Sequence, residues 1–193
     1  MRKNLLPYDG RVIYRPGIID VPRSKEYFNN LLTQIEWKSD EGVIFGKHYK
    51  TKRKVAWYGD EGFNYAYSNK KRLALPWTSE LKEIKQMVES VCSYTFNSCL
   101  LNLYHNGAEG MGWHSDNERT MLSGAPIVSL SLGAPRTFKF KHKKSNESIS
   151  ILLETGSLLT MEGNTQDHWK HCLPTSKRIS DARINLTFRQ YTE

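Results

Sequence analysis

The sequence predicts an α+β protein built on a β-sandwich or jelly-roll core. Two observations lead there. Two amphipathic segments in the first half read as helices, and six short β-runs crowd into the second half at the spacing of a sandwich or barrel. Helices first and strands later point to helices laid against one face of an antiparallel sheet system. The chain has 193 residues, enough for one core with a small appended lobe.

The first helix is expected over Ser24–Glu36. Tyr27, Phe28, Leu31, Leu32 and Ile35 recur there at helical spacing, and Ser24 stands where an N-cap is needed. Gly42–Arg72 reads as neither a helix nor a plain core strand. It interleaves aromatics (Phe45, Tyr49, Trp57, Tyr58, Phe63, Tyr65, Tyr67) with Lys47, Lys50, Lys52, Arg53 and Lys54. Such interleaving suits a surface that meets phosphates and stacks on bases. The second helix is expected over Ser79–Cys92, with Leu81, Ile84, Met87, Val88 and Val91 on one face and Pro76 and Thr78 marking its start. The β-runs are Tyr94–Tyr104, Ile127–Leu132, Thr137–Lys141, Ser148–Leu153, Ser157–Met161 and Ile184–Phe188. The expected organisation is one domain, with helices and the aromatic, basic segment over about 1–92 and the sheet core over about 93–193.

Lys plus Arg number 28 against 20 Asp plus Glu, a formal net charge of +8. That surplus favours a polyanionic partner, nucleic acid first among them. No apolar run is long enough for a membrane-spanning helix, so no membrane role is expected. Cys92, Cys99 and Cys172 form no short-spaced pair, which suits a reducing compartment. The first residues, MRKNLLPYDG, lack the apolar stretch of a secretory leader, so an intracellular protein is expected.

The chemistry concentrates in His114-Ser115-Asp116. Two ligands at i and i+2 on an extended strand project from one face, so an imidazole and a carboxylate can hold one cation. A third ligand is offered by either His168 or His171. Two histidines and one carboxylate form the facial triad of non-haem Fe(II) oxygenases, which leaves adjacent positions open. Arg183-Ile184-Asn185-Leu186-Thr187-Phe188-Arg189 alternates strictly. Its polar face, with two arginines framing an amide and a hydroxyl, is a ready carboxylate receptor. Asn102 and Tyr104 add a second polar pair on one face.

Asn102-Leu103-Tyr104, His114-Ser115-Asp116, Pro126–Gly133, His171 and Arg183–Arg189, in that order and spacing, resemble the AlkB family of Fe(II)/2-oxoglutarate dioxygenases, which reverse alkylation damage on nucleic-acid bases. Phe45-Gly46-Lys47, Tyr58-Gly59-Asp60 and Pro76-Trp77 resemble the subgroup that repairs duplex DNA. The resemblance implies a double-stranded β-helix core with a nucleotide-recognition flap. It implies His114, Asp116 and His171 as iron ligands, leaving His168 without that role. It implies Asn102, Tyr104, Arg183, Asn185 and Arg189 as contacts of 2-oxoglutarate, with Arg189 on the distal carboxylate and Arg183 near the metal-side one. On the substrate side it implies Tyr65, Tyr67 and Glu118 around an extruded base, and Ile44, Phe45 and Gly46 as a finger filling the vacated gap. Arg53 joins these as a substrate contact.

The implied reaction is oxidative demethylation of 1-methyladenine and 3-methylcytosine, releasing formaldehyde, succinate and CO2. The implied partner is DNA, duplex or single-stranded, with RNA as a further substrate class, and the enzyme is expected to act as a monomer in the cytoplasm, nucleoid or nucleus. Lys47–Lys54, Lys70–Arg72 and Arg136–Lys144 are expected to grip phosphates. Two alternatives stand beside this: a related oxygenase acting on RNA or protein, and a nucleic-acid-binding module without catalysis.

Overall fold

The alternation of the last strand organises the molecule. Ile184, Leu186 and Phe188 turn to one side of a sheet and Arg183, Asn185, Thr187 and Arg189 to the other. The apolar side meets helices and the polar side lines a pocket. In this computed structural model the described backbone covers residues 3–44, 47–60, 64–67, 70–118 and 120–192, with side chains described outside 42–49, 64–67 and 70–73.

In chain order the elements are β1 (Arg11–Arg15), α1 (Val21–Gln34), β2 (Lys38–Ile44), β3 (Lys47–Gly59), β4 (Asn64–Tyr67), β5 (Lys70–Leu73), β6 (Leu75–Pro76), α2 (Ser79–Cys92), β7 (Ser98–Tyr104), β8 (Met111–His114), β9 (Ile127–Gly133), β10 (Arg136–His142), β11 (Ser148–Leu153), β12 (Ser157–Glu162), α3 (Thr165–His168), β13 (Trp169–Leu173) and β14 (Arg183–Arg189). The major sheet runs β1-β12-β9-β14-β7-β3-β2, with β6 beside β3. A minor sheet runs β11-β10-β13-β8, and β4 and β5 pair alone.

Two cores follow. Tyr27 and Leu31 of α1 and Leu81, Ile84 and Val88 of α2 pack on the outer face of the major sheet, against Leu101, Leu130, Ile184, Leu186 and Phe188. Between the two sheets lie Val12, Ile127, Phe140, Leu159, Met161 and Trp169. This is the α+β jelly-roll that the sequence predicts. Among the described residues no helix is long and apolar enough to cross a membrane.

Four expectations change. Helix α1 starts three residues earlier than Ser24. Asp20 is the N-cap, its carboxylate accepting from the Arg23 N–H at 2.8 Å, and Pro22 sits in the first turn, where its missing N–H costs nothing. Ser24 is buried instead. The segment after Gly42 does contain a core strand: Val55, Ala56, Trp57 and Tyr58 are buried, and β3 pairs with β7 from Lys54 to Gly59. A strand buried on both faces loses the period-2 signal, which hid it among the polar residues of its first half. The main sheet also takes β1, β2 and β3 from the N-terminal half, so it crosses the expected division near residue 92. Finally β8 and β13, too short to read in isolation, complete the minor sheet.

Candidate active site

The polar face of β14 and the inner face of the minor sheet enclose one pocket. Asn102 and Tyr104 of β7, Ser129 of β9, Phe138 of β10, His171 of β13 and Arg183, Asn185, Thr187 and Arg189 of β14 line it, together with His114 and Asp116. The register explains the convergence. Asn185 lies opposite Asn102 on one side and Ser131 on the other, so one polar row crosses three strands. His171 lies opposite His114.

His114 ends β8, and Asp116 lies in the loop beyond it rather than on the strand. The same-face argument for the triplet therefore does not apply. Tertiary contacts bring the two together. The Asp116 N–H donates to Gln166 Oε1 at 3.0 Å, and its Oδ2 accepts from Arg189 Nη2 at 2.7 Å. Asp116 Oδ1 then stands 3.7 Å from His114 Nε2 and 4.0 Å from His171 Nε2. One ion with ligand bonds of about 2 Å bridges such a span. The three residues form a compact candidate ligand set.

Charge states suit the role. Burial pushes the Asp116 pKa upward, but the charge of Arg189, helped by the two histidines, outweighs it and holds the carboxyl at about 2. Burial drives His171 down to about 4 against the pull of Asp116, so at neutral pH it is an uncharged donor. Nδ1 of His114 lies 2.8 Å from the Gly112 carbonyl, which only accepts. The proton therefore sits on Nδ1 and the Nε2 lone pair faces Asp116. Two imidazoles and a carboxylate fit divalent iron.

The resemblance implies Arg183 near the metal-side carboxylate, but it is Arg189 that stands beside Asp116. Arg189 pairs with the Asp116 carboxylate at 2.7 Å. Arg183 lies six residues earlier, at the start of the same strand. Its Nη2 donates to Ser131 Oγ and Asn185 Oδ1, each at 2.8 Å, and its guanidinium lies 5.7 Å from the Tyr104 ring. Arg183 is 2% exposed, and its buried Nε has no hydrogen-bond partner. Burial lowers its pKa to about 10. Among the described residues no carboxylate lies beside this buried cation, which suits it to an anionic ligand.

Other expected residues fall differently. Arg53 is buried on β3 with its guanidinium on Asp40 and Asn102, so it is not placed to meet substrate. Arg136 is 1% exposed and donates to the carbonyls of Asn106, Glu109 and Pro174, which removes it from the phosphate-gripping set. Lys143 and Lys144 in the same hairpin are exposed. Glu118 is half-buried in the loop after Asp116. Phe45 and Gly46 lie outside the described residues, as do the side chains of Ile44, Tyr65 and Tyr67.

His168 belongs to a second cluster, with Asp9 and His142. There the Ser145 N–H donates to His142 Nδ1 at 3.0 Å, which puts the imidazole proton on Nε2, 3.3 Å from Asp9 Oδ2. Nε2 makes no hydrogen bond among the described residues, and Asp9, His142 and His168 form a second group compact enough to hold an ion. Sequence reasoning missed Ser131, Gln166 and Asp40. The alternation of Ser129-Leu130-Ser131-Leu132 was the available signal for Ser131; Gln166 and Asp40 act through contacts far apart in sequence.

Residues 11–189 match the family model described as the 2OG-Fe(II) oxygenase superfamily. The chain is 37% identical over 179 residues to the DNA oxidative demethylase ALKBH2 of Mus musculus, covering 89% of this chain and 72% of that protein. ALKBH2 of Homo sapiens gives the same identity over 66% of its length. Alpha-ketoglutarate-dependent dioxygenase alkB homolog 3 of Homo sapiens is 36% identical over 189 residues, covering 93% of this chain and 65% of that protein. The chain thus spans about two thirds of the length of the human relatives. The solved structure of OsALKBH1 shares the fold, with a TM-score of 0.64 over 93% of this chain and 97% of that chain at 17% identity. A matched domain over nearly the whole length, and identity above one third to two AlkB-type dioxygenases, make this chain a member of the 2OG-Fe(II) oxygenase superfamily and, within it, of the AlkB family.

Proposed function

We propose that this protein is a DNA oxidative demethylase, using Fe(II), O2 and 2-oxoglutarate to remove methyl groups from the pairing edge of adenine and cytosine. The observation that carries the reading is one pocket holding a histidine–aspartate–histidine set beside two buried arginines. The named activity of the ALKBH2 relatives supports the choice of substrate.

His114, Asp116 and His171 hold the iron in this reading. When bound there, iron couples decarboxylation of 2-oxoglutarate to hydroxylation of the N-methyl carbon, which leaves as formaldehyde. The residues do the rest. Arg183, with Tyr104 and Ser131 beside it, takes the distal carboxylate, and Arg189 takes the metal-side end while orienting Asp116. Asn102 and Asn185 donate to the same ligand, and Phe138, stacked on the His171 ring at 5.4 Å, holds that imidazole and excludes water.

The methylated atoms lie on the paired edge, so the base must leave the duplex. Ile44, Phe45 and Gly46, at the β2–β3 connection, are the proposed wedge. Tyr65, Tyr67 and Glu118 are the proposed base contacts. A DNA substrate places the enzyme inside the cell, and the single chain is taken as the catalytic unit.

The deciding experiment compares formaldehyde and succinate release from methylated duplex DNA, single-stranded DNA, RNA and a methylated peptide. Release from DNA, abolished by Asp116→Ala, is expected. Turnover of RNA or peptide alone would reassign the substrate. Turnover that survives Asp116→Ala would remove the metal set.

A further inference from the structure

The β2–β3 ladder runs regularly through Lys38↔Val55 and Ser39↔Lys54 and resumes at Glu41↔Lys50. Between these pairs a single residue, Asp40, faces three, Thr51, Lys52 and Arg53. This is a bulge, the device that re-aims a side chain near a functional site. Thr51 Oγ1 closes it by donating to the Arg53 carbonyl at 2.7 Å.

The bulge turns Arg53 inward. Its side chain is 6% exposed and that of Asp40 8%, and Nη2 donates to Asp40 Oδ2 at 2.7 Å. Nη1 donates to the side-chain carbonyl of Asn102. Val55, two residues on, lies directly opposite Asn102, so Arg53 reaches it along one face.

A guanidinium has five donors and no acceptor. It can hold an asparagine only by its oxygen. With that oxygen taken, the Asn102 NH2 group is left for the pocket that Asn102 lines, and among the described residues it has no hydrogen-bond partner. Without the guanidinium, either end of the amide can face the ligand, and the carbonyl end repels a carboxylate.

We propose that Arg53, anchored by Asp40, is a positioning residue that fixes the Asn102 amide with its NH2 toward the co-substrate carboxylate. The inference rests on the reading that Asn102 contacts 2-oxoglutarate. It replaces the expected contact of Arg53 with substrate. The pairing with Asp40 also neutralises Arg53, so the ligand's two charges are left to Arg183 and Arg189.

The test is calorimetric binding of 2-oxoglutarate to the Mn(II)-loaded protein, alongside KM and kcat of the iron enzyme. The double variant Arg53→Met with Asp40→Leu removes both buried charges at similar volume, a change that cores tolerate. It should bind 2-oxoglutarate about tenfold more weakly, with KM raised to match and kcat at saturation within about twofold. Arg53→Lys, which keeps a donor and the ion pair, should lose about threefold or less.

Asn102→Ala should lose about as much as the double variant, and combining all three changes should add nothing further. Unchanged affinity in the double variant and in Arg53→Lys, with Asn102→Ala weakened, overturns the positioning role and leaves the co-substrate reading standing. Unchanged affinity in Asn102→Ala overturns both. Additive losses in the combined variant also overturn the positioning role.

Discussion

At the scale of single residues, burial decides which charged groups serve chemistry. His171 is held near a pKa of 4, where an ordinary histidine titrates near 6.5. As pH falls through 6.5 the unfolded chain takes up the proton first, so the metal-free protein loses stability between about 6.5 and 4. The full contribution is present above that window, and the loss is roughly 3 kcal/mol at most. Urea midpoints across this range should show the slope, and His171→Gln should flatten it; an unchanged slope would mean that another group carries it. The two arginines separate by ligand. Arg183→Met should weaken 2-oxoglutarate binding tenfold or more and leave binding of pyruvate, which lacks the distal carboxylate, unaltered. Arg189→Met should weaken both. Equal effects of Arg183→Met on the two ligands would restore the order expected from sequence.

Caps and close approaches govern the elements. Thr78 caps α2 through the Leu81 N–H, and Asp20 caps α1 through the Arg23 N–H. Replacing either by Ala should cost about 1 kcal/mol in thermal or denaturant unfolding. Gly133 closes β9 at φ +85, and a Cβ there would lie 2.5 Å from the Ala182 carbonyl and 2.8 Å from the Phe28 ring. Gly133→Ala should therefore destabilise by about 2 kcal/mol or more. A melting temperature equal to that of the unaltered protein would show that α1 can move off the sheet at this point. Helix α2 and strands β9, β10, β11, β12 and β14 were legible because each keeps a single pattern along its whole length. Strand β3 was not, because its polar hairpin half and its doubly buried half follow different patterns.

For the whole molecule, the charge of +8 has three fates. Arg183 and Arg189 are buried in the pocket, and Arg53 and Arg136 are buried behind it or on backbone carbonyls. Exposed lysines such as Lys143 and Lys144 remain for the proposed DNA contact. Lys141 and Lys170 lie directly opposite each other on β10 and β13, a like-charge pairing that costs stability unless an anion shares it. Affinity for a methylated duplex should fall steeply as salt rises from about 50 to 200 mM. Lys141→Gln should reduce the logarithmic salt slope by about 1, whereas Arg136→Gln should leave the slope alone and lower stability. A flat salt response would refute the electrostatic grip.

The class of fold, the candidate ligand types and the proposed carboxylate receptor are readable from the sequence by itself. These follow from local periods and from residues close together or on one alternating strand. Only the tertiary structure decided that Asp116 reaches the histidines from a loop through Gln166 and Arg189. It also placed Arg189 rather than Arg183 beside Asp116 and turned Arg53 inward onto Asp40. The reason is physical. A strand's alternation fixes which face a side chain takes, whereas its partner and its burial depend on the register of strands far apart in the chain and on the loops and bulges that interrupt them.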